Sequence, residues 1–434
     1  MNIQDYKKFN KIYFIGIGGI GISAIARMLI LEGKEVIGSD ISMSEVTDEL
    51  IKAGARIEKG QSLELIPKDA DLIIYTAAIE VADPELLMGI KNLSIPSLSY
   101  SQALGIYSKN KKTIAISGTH GKTTTTAMLA KVLLDAKTEP NVIVGSLLTE
   151  TKTNYVAGKG EYLVVEADEY RRSFLSLHPY ILLINNIDAD HLDYYKDLAD
   201  VQSAFRELAL RVPKDGAVVC NLKNKNVVPV VQGIDVPIYD YSEVSVSDLK
   251  LPFPGEHNRD NARATLCIVK ILGIDEVVAK KALEDFRGTW RRFEYKGKTV
   301  NGTLVYDDYA HNSQKVQAVI QGAREMYPDK KIIIAFQPHL FSRTKSFLNE
   351  FAEALSGADE VVLLPIYPAR EAFDSTISSA MIAEKITSAG KTKVVKDASE
   401  AEEYLRNNSK DGDVILVVGA GDIYKIANNL IYEK

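Results

Sequence analysis

The 434-residue chain contains only two cysteines and carries no strong charge of either sign. Cys220 and Cys267 lie far apart in apolar runs, which argues against a disulfide or a thiolate metal site. A net charge of -6 offers no basic surface for nucleic acid or for an anionic membrane. No apolar run approaches the length of a membrane span, and the start lacks the pattern of a signal peptide. We therefore expect a cytoplasmic protein with no nucleic-acid partner and no membrane span.

Short apolar runs recur along the whole chain, and amphipathic stretches separate them. Runs such as KIYFIGI, TIAISG and VILVVG are too continuous for one-sided strands. They predict parallel sheets covered by helices on both faces, so the predicted fold class is α/β. At about 150 residues per domain, the length predicts about three domains. Charged segments near 108–112 and 284–292 place the predicted domains at 1–107, 108–286 and 287–434.

A first glycine-rich loop follows the predicted strand KIYFIGI. It spans Gly16–Gly21 and precedes a predicted helix, and Asp40 ends the next predicted strand. This arrangement is typical of a site in which backbone amides and a helix N-terminus face a pyrophosphate while an acid accepts hydrogen bonds from a ribose. A tight turn without a ligand is the structural alternative. The loop does not distinguish NAD from a UDP-sugar, because both contain a pyrophosphate and a ribose.

A second loop combines glycines with a lysine. The predicted strand KKTIAIS leads into Gly118–Thr124, with the sequence GTHGKTT, and then into a helix. The amides of such a loop cradle a triphosphate, while Lys122 neutralises its β and γ oxygens and the Thr123 hydroxyl binds Mg²⁺. The spacing is two residues shorter than in the common P-loop. An NAD enzyme needs no triphosphate loop, whereas a ligase that consumes ATP and holds a nucleotide-linked substrate needs both loops, so the pair favours ligation.

Acidic side chains and a histidine follow two later strands, YLVVEAD and ILLINN. In a parallel sheet these strand ends line the ligand crevice, and a carboxylate there binds the Mg²⁺ that bridges phosphate oxygens. Glu166 is the predicted ligand because it is the first acid after its apolar run. For Asp168 and Glu169, the alternative is a solvated helix cap. For His191, the alternative is a position in the core. The remaining members of this set are Asp168, Glu169, Asp188, Asp190 and His191.

Ten segments, taken together, resemble the motifs of the Mur ligases of peptidoglycan synthesis. They include GIGGIGISAIA, GTHGKTTTT, VVEADEYRRSFL, PGEHNRDN, GTWRRFE, YDDYAHN and FQPHLFSRT, in order from residue 11 to about residue 425. The resemblance implies a Rossmann-like UDP-sugar domain, a central P-loop ATPase domain and a Rossmann-like C-terminal domain that closes on ATP and the amino acid. It also implies that ATP phosphorylates the carboxylate of UDP-N-acetylmuramate and that L-alanine attacks the acyl phosphate.

The resemblance assigns roles to individual residues, in a monomer or a homodimer. Catalytic roles fall to Lys122, Glu166, His191, His339 and Arg343. The ATP-binding set is Gly118, Thr119, His120, Gly121, Lys122, Thr123, Thr124, Asn258, Asn261, Arg292 and Asp308. The Mg²⁺ set is Thr123 and Glu166 at a first ion and His191 at a second. The set that binds the UDP-sugar and the amino acid is Gly18, Gly19, Ile20, Ser39, Asp40, Thr76, His339 and Arg343.

Three residues depart from the Mur ligase pattern. Asn312 and Ser313 follow YDDYAH where histidine and proline are usual, which predicts a less rigid loop. Leu340 occupies a position that is usually arginine, so one cation is lost near the amino-acid site. The choice among L-alanine, glycine, L-serine and tripeptide therefore stays open. A tripeptide-recycling ligase is the alternative within the family, and an NAD-binding regulator or dehydrogenase is the alternative outside it.

Two of the assigned regions also have structural alternatives. For Arg291 and Arg292, the alternative is a pair of solvated charges on the surface. His339 follows Pro338, and its role could be limited to the shape of a loop. Without the surrounding motifs, the sequence would favour these structural roles for both regions.

Overall fold

The computed structural model describes residues 8–148, 153–192, 194–369, 371–387 and 390–431. It contains three mostly parallel sheets with accompanying helices, which confirms the predicted α/β fold class. The chain forms two compact units: a first unit of Met1–Lys250 with Arg259–Phe286, and a second unit of Leu251–Asn258 with Arg287–Lys434. The predicted domain boundaries and the closure of the third domain stay predictions. Within the described ranges, no helix is long and apolar enough to cross a membrane.

The first sheet belongs to the first unit and consists of five parallel strands. They are β1 (Lys11–Ile15), β2 (Glu35–Asp40), β3 (Arg56–Lys59), β4 (Leu72–Tyr75) and β5 (Ser97–Ser99). The accompanying helices are α1 (Ile20–Leu31), α2 (Glu45–Lys52), α3 (Ile79–Ala82), α4 (Pro84–Asn92) and α5 (Tyr100–Ser108). The strand order is β3-β2-β1-β4-β5. The chain therefore reverses its direction of winding between β1 and β4, where ligands bind in open parallel sheets.

The second sheet, also in the first unit, has seven strands. They are β6 (Lys112–Ser117), β7 (Asn141–Ile143), β8 (Tyr155–Val156), β9 (Tyr162–Glu166), β10 (Pro179–Ile184), β11 (Ala217–Cys220) and β12 (Ile238–Asp240). The helices that follow in the chain are α6 (Lys122–Asp135), α7 (Leu198–Ala209), α8 (Val228–Val231), α9 (Glu256–Ile271) and α10 (Glu276–Glu284). The order is β12-β11-β10-β6-β9-β7-β8, and only the β7–β8 pair is antiparallel. Because β6 lies between β9 and β10, the loops after these three strands meet at one edge.

The third sheet forms the second unit. Its strands are β13 (Glu294–Lys298), β14 (Leu304–Asp308), β15 (Ile332–Phe336), β16 (Glu360–Leu363), β17 (Lys391–Val394) and β18 (Val414–Val418). Its helices are α11 (Ser313–Met326), α12 (Phe341–Ser346), α13 (Leu348–Leu355), α14 (Ser379–Ala383), α15 (Ala398–Asn408) and α16 (Tyr424–Ile431). The order is β13-β14-β18-β15-β16-β17, and only β13 runs antiparallel to its neighbour. The last strand in the chain thus lies inside the sheet.

Side chains join the first two sheets within the first unit. The Asn154 amide, beside β8, donates hydrogen bonds to the Ile20 carbonyl and to Ser23 Oγ at the start of α1. Arg171 Nη1, in the 3-10 segment Tyr170–Ser176, lies 3.4 Å from Glu80 Oε2 of α3. One hydrophobic core includes buried residues of both sheets. These contacts fix the first glycine loop beside the second sheet.

Candidate functional site

The first glycine loop is a tight turn at the end of β1. The amides of Gly16 and Ile17 donate to the Ser39 carbonyl, at 2.8 and 3.1 Å. The Gly18 amide donates to Asp40 Oδ2 at 2.9 Å, and a Cβ at Gly18 would lie 3.0 Å from that oxygen. Asp40 therefore shapes the loop through one carboxylate oxygen, in addition to its predicted role toward a ribose.

The other predicted substrate residues of the first sheet lie around the same turn. Thr76 follows β4 and donates its amide to the Ile15 carbonyl at 3.0 Å. Its Cγ2 would lie 2.5 Å from a Cβ at Gly16, so the two loops are in close contact. Helix α1 has no acidic residue in its first turn, which leaves its N-terminus suited to an anion. The structure brings together Gly18, Gly19, Ile20, Ser39, Asp40 and Thr76.

The second glycine loop depends on two left-handed glycines. Gly118 has φ 131° and Gly121, which caps α6, has φ 83°. A Cβ at Gly121 would lie 2.5 Å from Asn261 Oδ1, so a larger residue is excluded by both backbone strain and space. Asn261 Oδ1 in turn accepts a hydrogen bond from Thr125 Oγ1 at 3.0 Å. The structure therefore places Asn261 beside the loop, and its predicted contact with adenine stays a prediction.

Lys122, the first residue of α6, is held by two groups. Its Nζ donates to the Gly118 carbonyl at 2.6 Å and to Glu169 Oε2 at 2.7 Å, and the Glu169 side chain is only 3% exposed. Burial works against the charge, but the carboxylates of Glu169, Asp168 and Glu166 raise the pKa of Lys122 above its usual value. The lysine is therefore cationic, and a bound phosphate would share it with Glu169.

Thr123 and Glu166 form a pair next to Lys122. Thr123 Oγ1 donates to Glu166 Oε2 at 3.2 Å, and the Gly145 amide donates to Glu166 Oε1 at 2.7 Å. A hydroxyl and a carboxylate beside a phosphate loop are the oxygen ligands that Mg²⁺ prefers. The residues present fit a magnesium ion there, and the metal role of Thr123 and Glu166 stays a prediction.

A second candidate cation site lies beside this pair. One ligand atom from each of Asp168, Glu169 and His191 lies within 4.8 Å of the other two. His191 Nε2 is 3.7 Å from Glu169 Oε1, which is buried and has no hydrogen-bond partner among the described residues. Glu169 is therefore not a solvated cap, and the partly exposed His191 is not a core histidine. The structure groups His191 with Asp168 and Glu169, next to the pair of Thr123 and Glu166, and the predicted place of His191 at a second metal stays a prediction.

Two asparagines that sequence reasoning missed support the second loop from the end of β10. Asn186 Oδ1 accepts a hydrogen bond from the His120 amide at 2.8 Å, and Asn185 Nδ2 donates to the His120 carbonyl at 3.2 Å. Thr119 Oγ1 accepts from the Asp188 amide at 2.9 Å. The available signal was the pair NN directly after the apolar run ILLI. The loop residues that the structure gathers here are Gly118, Thr119, His120, Gly121, Lys122, Thr123 and Thr124.

In the second unit, Arg292 lies in a turn that Asp308 stabilises. Its neighbours Arg291 and Phe293 are left-handed, with φ 58° and 48°. Asp308 Oδ2 accepts a hydrogen bond from the Phe293 amide at 2.7 Å. The Arg292 guanidinium lies 5.5 Å from the centre of the Tyr309 ring. Asp308 therefore positions the segment that carries Arg292.

Arg291 is buried and bound to other groups of the protein, so its interpretation as a solvated charge is wrong. It is only 2% exposed, and its Nε lies 3.2 Å from Asp307 Oδ2. Its guanidinium donates to the carbonyls of Gly421, at 2.9 Å, and Gly419. The Tyr424 ring centre is 4.9 Å away. Arg291 thus ties the turn of Arg292 to the loop after β18.

His339 and Arg343 lie together in the second unit. The His339 ring stacks on Tyr367, with centroids 5.7 Å apart, and Arg343 Nη1 is 3.5 Å from His339 Nδ1. His311, which sequence reasoning did not single out, has its ring 6.3 Å from that of His339. Burial, followed by the charges of Lys315 and Arg343, lowers the pKa of His311 to about 3. This group therefore combines one cation with a neutral imidazole.

The departures from the Mur ligase pattern have local structural roles. Asn312 caps α11, because its Oδ1 accepts a hydrogen bond from the Lys315 amide at 2.9 Å. The predicted lower rigidity of this loop stays a prediction. Leu340 is left-handed, with φ 73°, and its amide donates to the Tyr367 carbonyl at 2.9 Å.

Asn258, predicted near adenine, donates from Nδ2 to the Pro254 carbonyl at 2.7 Å.

Three family models match the chain in succession. They describe the Mur ligase family catalytic domain at residues 11–112, the Mur ligase middle domain at 116–248 and the Mur ligase glutamate ligase domain at 291–421. The chain is 40% identical to the UDP-N-acetylmuramate–L-alanine ligase of Clostridium kluyveri, over 97% of this chain and 98% of that one. It is 39% identical to the enzyme of that name from Caldanaerobacter subterraneus subsp. tengcongensis, over 99% of each.

A solved structure agrees with these relatives. The UDP-N-acetylmuramate-alanine ligase of Thermotoga maritima superimposes with a TM-score of 0.81 and 32% identity, over 97% of this chain and 98% of that one. The match therefore extends over all three sheets and over both glycine loops described above. The chain belongs to the Mur ligase family.

Proposed function

We propose that this protein is an ATP-dependent ligase that joins L-alanine to the carboxylate of UDP-N-acetylmuramate, in peptidoglycan precursor synthesis. The observation that carries the proposal is the presence of two different phosphate loops in one compact unit. The loop after β1 offers amides and a helix N-terminus, whereas the loop after β6 adds the largely buried cation Lys122. Relatives named for L-alanine ligation, at 39% and 40% identity, support the choice of substrates over a tripeptide.

The chemistry explains why the second loop contains a lysine. A carboxylate is a poor electrophile, so a carboxylate oxygen first attacks the γ-phosphorus of ATP and releases ADP. The amine of L-alanine then attacks the acyl carbon, and phosphate leaves. Lys122 stabilises the charge that develops on the transferred phosphoryl group. The loop amides hold the nucleotide in line with the carboxylate.

Two groups of side chains would hold Mg²⁺, with Thr123 and Glu166 in one group and Asp168, Glu169 and His191 in the other. A bound Mg²⁺ supplies positive charge to the phosphate oxygens. Imidazole is an unusual ligand for this ion, so the second group favours Mg²⁺ mainly through its carboxylates.

The remaining roles follow from the chemistry of each side chain. Asn261 offers a donor and an acceptor to the adenine edge, and Asn258 is proposed for the same base. Arg292 is proposed for the phosphates, on the turn that Asp308 positions. Arg343, beside His339, offers a guanidinium fork to a carboxylate. We further propose a cytoplasmic enzyme that acts as a monomer or a homodimer.

The test is ADP release by the purified protein with UDP-N-acetylmuramate and, separately, L-alanine, glycine, L-serine or tripeptide. We expect release to require the UDP-sugar and to be fastest with L-alanine, with a product whose mass equals the two substrates minus water. Faster release with tripeptide would favour the recycling ligase. Nicotinamide reduction without ADP release would favour the dehydrogenase and overturn the proposal.

A further inference from the structure

Helix α5 links the two sheets that carry the phosphate loops. Helix α5 follows β5 of the first sheet and leads directly to β6 of the second. It begins with a capping box, in which Ser99 Oγ accepts from the Gln102 amide at 3.3 Å and Gln102 Oε1 accepts from the Ser99 amide at 2.9 Å. The capping box therefore fixes the first turn of α5.

Tyr100, the first residue of α5, lies against the first glycine loop. A Cβ at Gly21 would lie 2.9 Å from Tyr100 Cζ and 3.1 Å from Tyr100 Oη. Glycine is thus needed at position 21 to admit the phenol next to the first turn of α1. The hydroxyl is close to the helix end that is suited to the pyrophosphate.

The same phenol is also influenced by the charges of two acids at the end of β9. Burial, followed by the charges of Glu166 and Asp168, raises the pKa of Tyr100 far above its usual value. A phenol with its usual pKa of about 10 is already protonated at physiological pH, so the Tyr100 hydroxyl is available as a hydrogen-bond donor toward anions. Among the hydrogen bonds of the described residues, none involves the Tyr100 hydroxyl.

The proposed reaction needs a donor at this place. The sugar is held through its pyrophosphate near Gly18–Gly21, while its carboxylate must reach the γ-phosphate beside Lys122. On that path the carboxylate approaches Glu166 and Asp168, which repel it. A neutral hydroxyl offsets part of this repulsion and, unlike a second cation, does not compete for the acids that would hold Mg²⁺.

Resting on the proposed function, we propose that Tyr100 contacts the substrate directly, with its hydroxyl donating a hydrogen bond to the carboxylate of the UDP-linked sugar. The residue would then distinguish UDP-N-acetylmuramate from UDP-N-acetylglucosamine, which has the same nucleotide and sugar ring but lacks the carboxylate-bearing ether. Tyr100 would thus contribute both to the choice of substrate and to the orientation of the reacting carboxylate.

The test compares Tyr100→Phe with Tyr107→Phe in the full-length protein. Tyr107 lies on the same helix, but its hydroxyl donates to Asn141 Oδ1 at 3.0 Å, so this control also loses one hydroxyl. Titration calorimetry would give the affinity of each variant for UDP-N-acetylmuramate and for UDP-N-acetylglucosamine. We expect Tyr100→Phe to weaken the first about tenfold or more, as for a hydrogen bond to a charged group, and to change the second less than about twofold.

Kinetics provide the second readout. With Tyr100→Phe, kcat/KM for UDP-N-acetylmuramate should fall at least as much as the affinity does, while the KM for ATP is unchanged. An equal loss of affinity for both UDP-sugars would show a structural role. No loss of affinity for either would show that the hydroxyl does not contact the substrate, and each of these results would overturn the inference. A wild-type protein that releases no ADP with UDP-N-acetylmuramate and any of the four acceptors would instead contradict the proposed function itself.

Discussion

The turn after β1 and the turn after β6 both connect a buried strand to a helix, but they carry opposite charges. Beside the first turn, the charged group is Asp40 at the end of β2, which accepts a hydrogen bond from the Gly18 amide. In the second, it is Lys122, which is paired with the buried Glu169. In the first turn, backbone amides alone can hold a phosphate whose charge stays constant. The second is equipped for a phosphate whose charge changes during a reaction, and the following predictions test this difference.

The largest effect is expected for Lys122→Ala. Turnover should fall about 100-fold or more, because a preorganised cation at the transferred phosphoryl group is lost. Affinity for UDP-N-acetylmuramate, measured by calorimetry, should be unchanged. Lys131→Ala is the matched control, since Lys131 lies on the same helix and pairs with Asp135 at 2.7 Å. Turnover above about a tenth of the wild-type value would contradict the role of Lys122.

The pairing of Lys122 with Glu169 should appear as coupled stability. Glu169→Gln should lower the free energy of unfolding by about 3 kcal/mol, because it leaves the largely buried lysine without its anion. In a Lys122→Ala background, the same change should lower the free energy of unfolding much less, because no cation is left unpaired. Urea denaturation of the two single variants and the double variant measures the coupling. Additive effects would mean that the pair does not stabilise the second turn.

Part of this comparison was readable from the sequence, because glycines and lysines are local signals. Gly118 and Gly121 were singled out, and both are left-handed as a tight loop requires. The partner of Lys122 was not predicted, since Glu166 ends β9 and Glu169 lies shortly after it. The turn after β9 decides which carboxylate points to the lysine. That turn depends on tertiary contacts, such as the hydrogen bond from the Tyr195 hydroxyl to the Glu169 carbonyl.

The second unit illustrates the same limit. Arg291 and Arg292 are adjacent in sequence, and no periodicity separates them. Their different environments arise from left-handed conformations at Arg291 and Phe293, which residues with side chains rarely adopt. The sequence therefore predicted the motif but not which arginine is buried. The fold class, in contrast, follows from apolar runs that span whole strands and was predicted correctly.

A moderate effect is expected for Glu166→Gln. The amide keeps the shape and one acceptor oxygen but removes the anion, so the Mg²⁺ concentration needed for half-maximal turnover should rise about tenfold. Glu161→Gln is the control, because Glu161 directly precedes β9 and pairs with Lys112 at the far end of the strand. Titration of turnover with Mg²⁺ gives both midpoints. An unchanged midpoint for Glu166→Gln would exclude it as a ligand.

The smallest effect is expected in the first turn. Asp40→Asn keeps an acceptor for the Gly18 amide, so the loop should survive, and affinity for the UDP-sugar should fall only about threefold to tenfold through the weaker contact with the ribose. The KM for ATP should not change. Asp48→Asn, at an exposed position on α2, controls for the loss of charge. If Asp40→Asn changed the Mg²⁺ dependence instead, the proposed division of labour between the two turns would be wrong.

The place of β18 has a consequence for how the protein is made. This strand pairs with both β14 and β15, although it follows them by about a hundred residues in the chain. During translation, β14 and β15 therefore emerge with open edges that no earlier strand fills, and such edges invite pairing with other chains. The first two sheets use strands that all precede residue 241. We expect the nascent chain to fold its first unit early and to rely on chaperones, or on fast release from the ribosome, until residues 414–418 complete the last sheet.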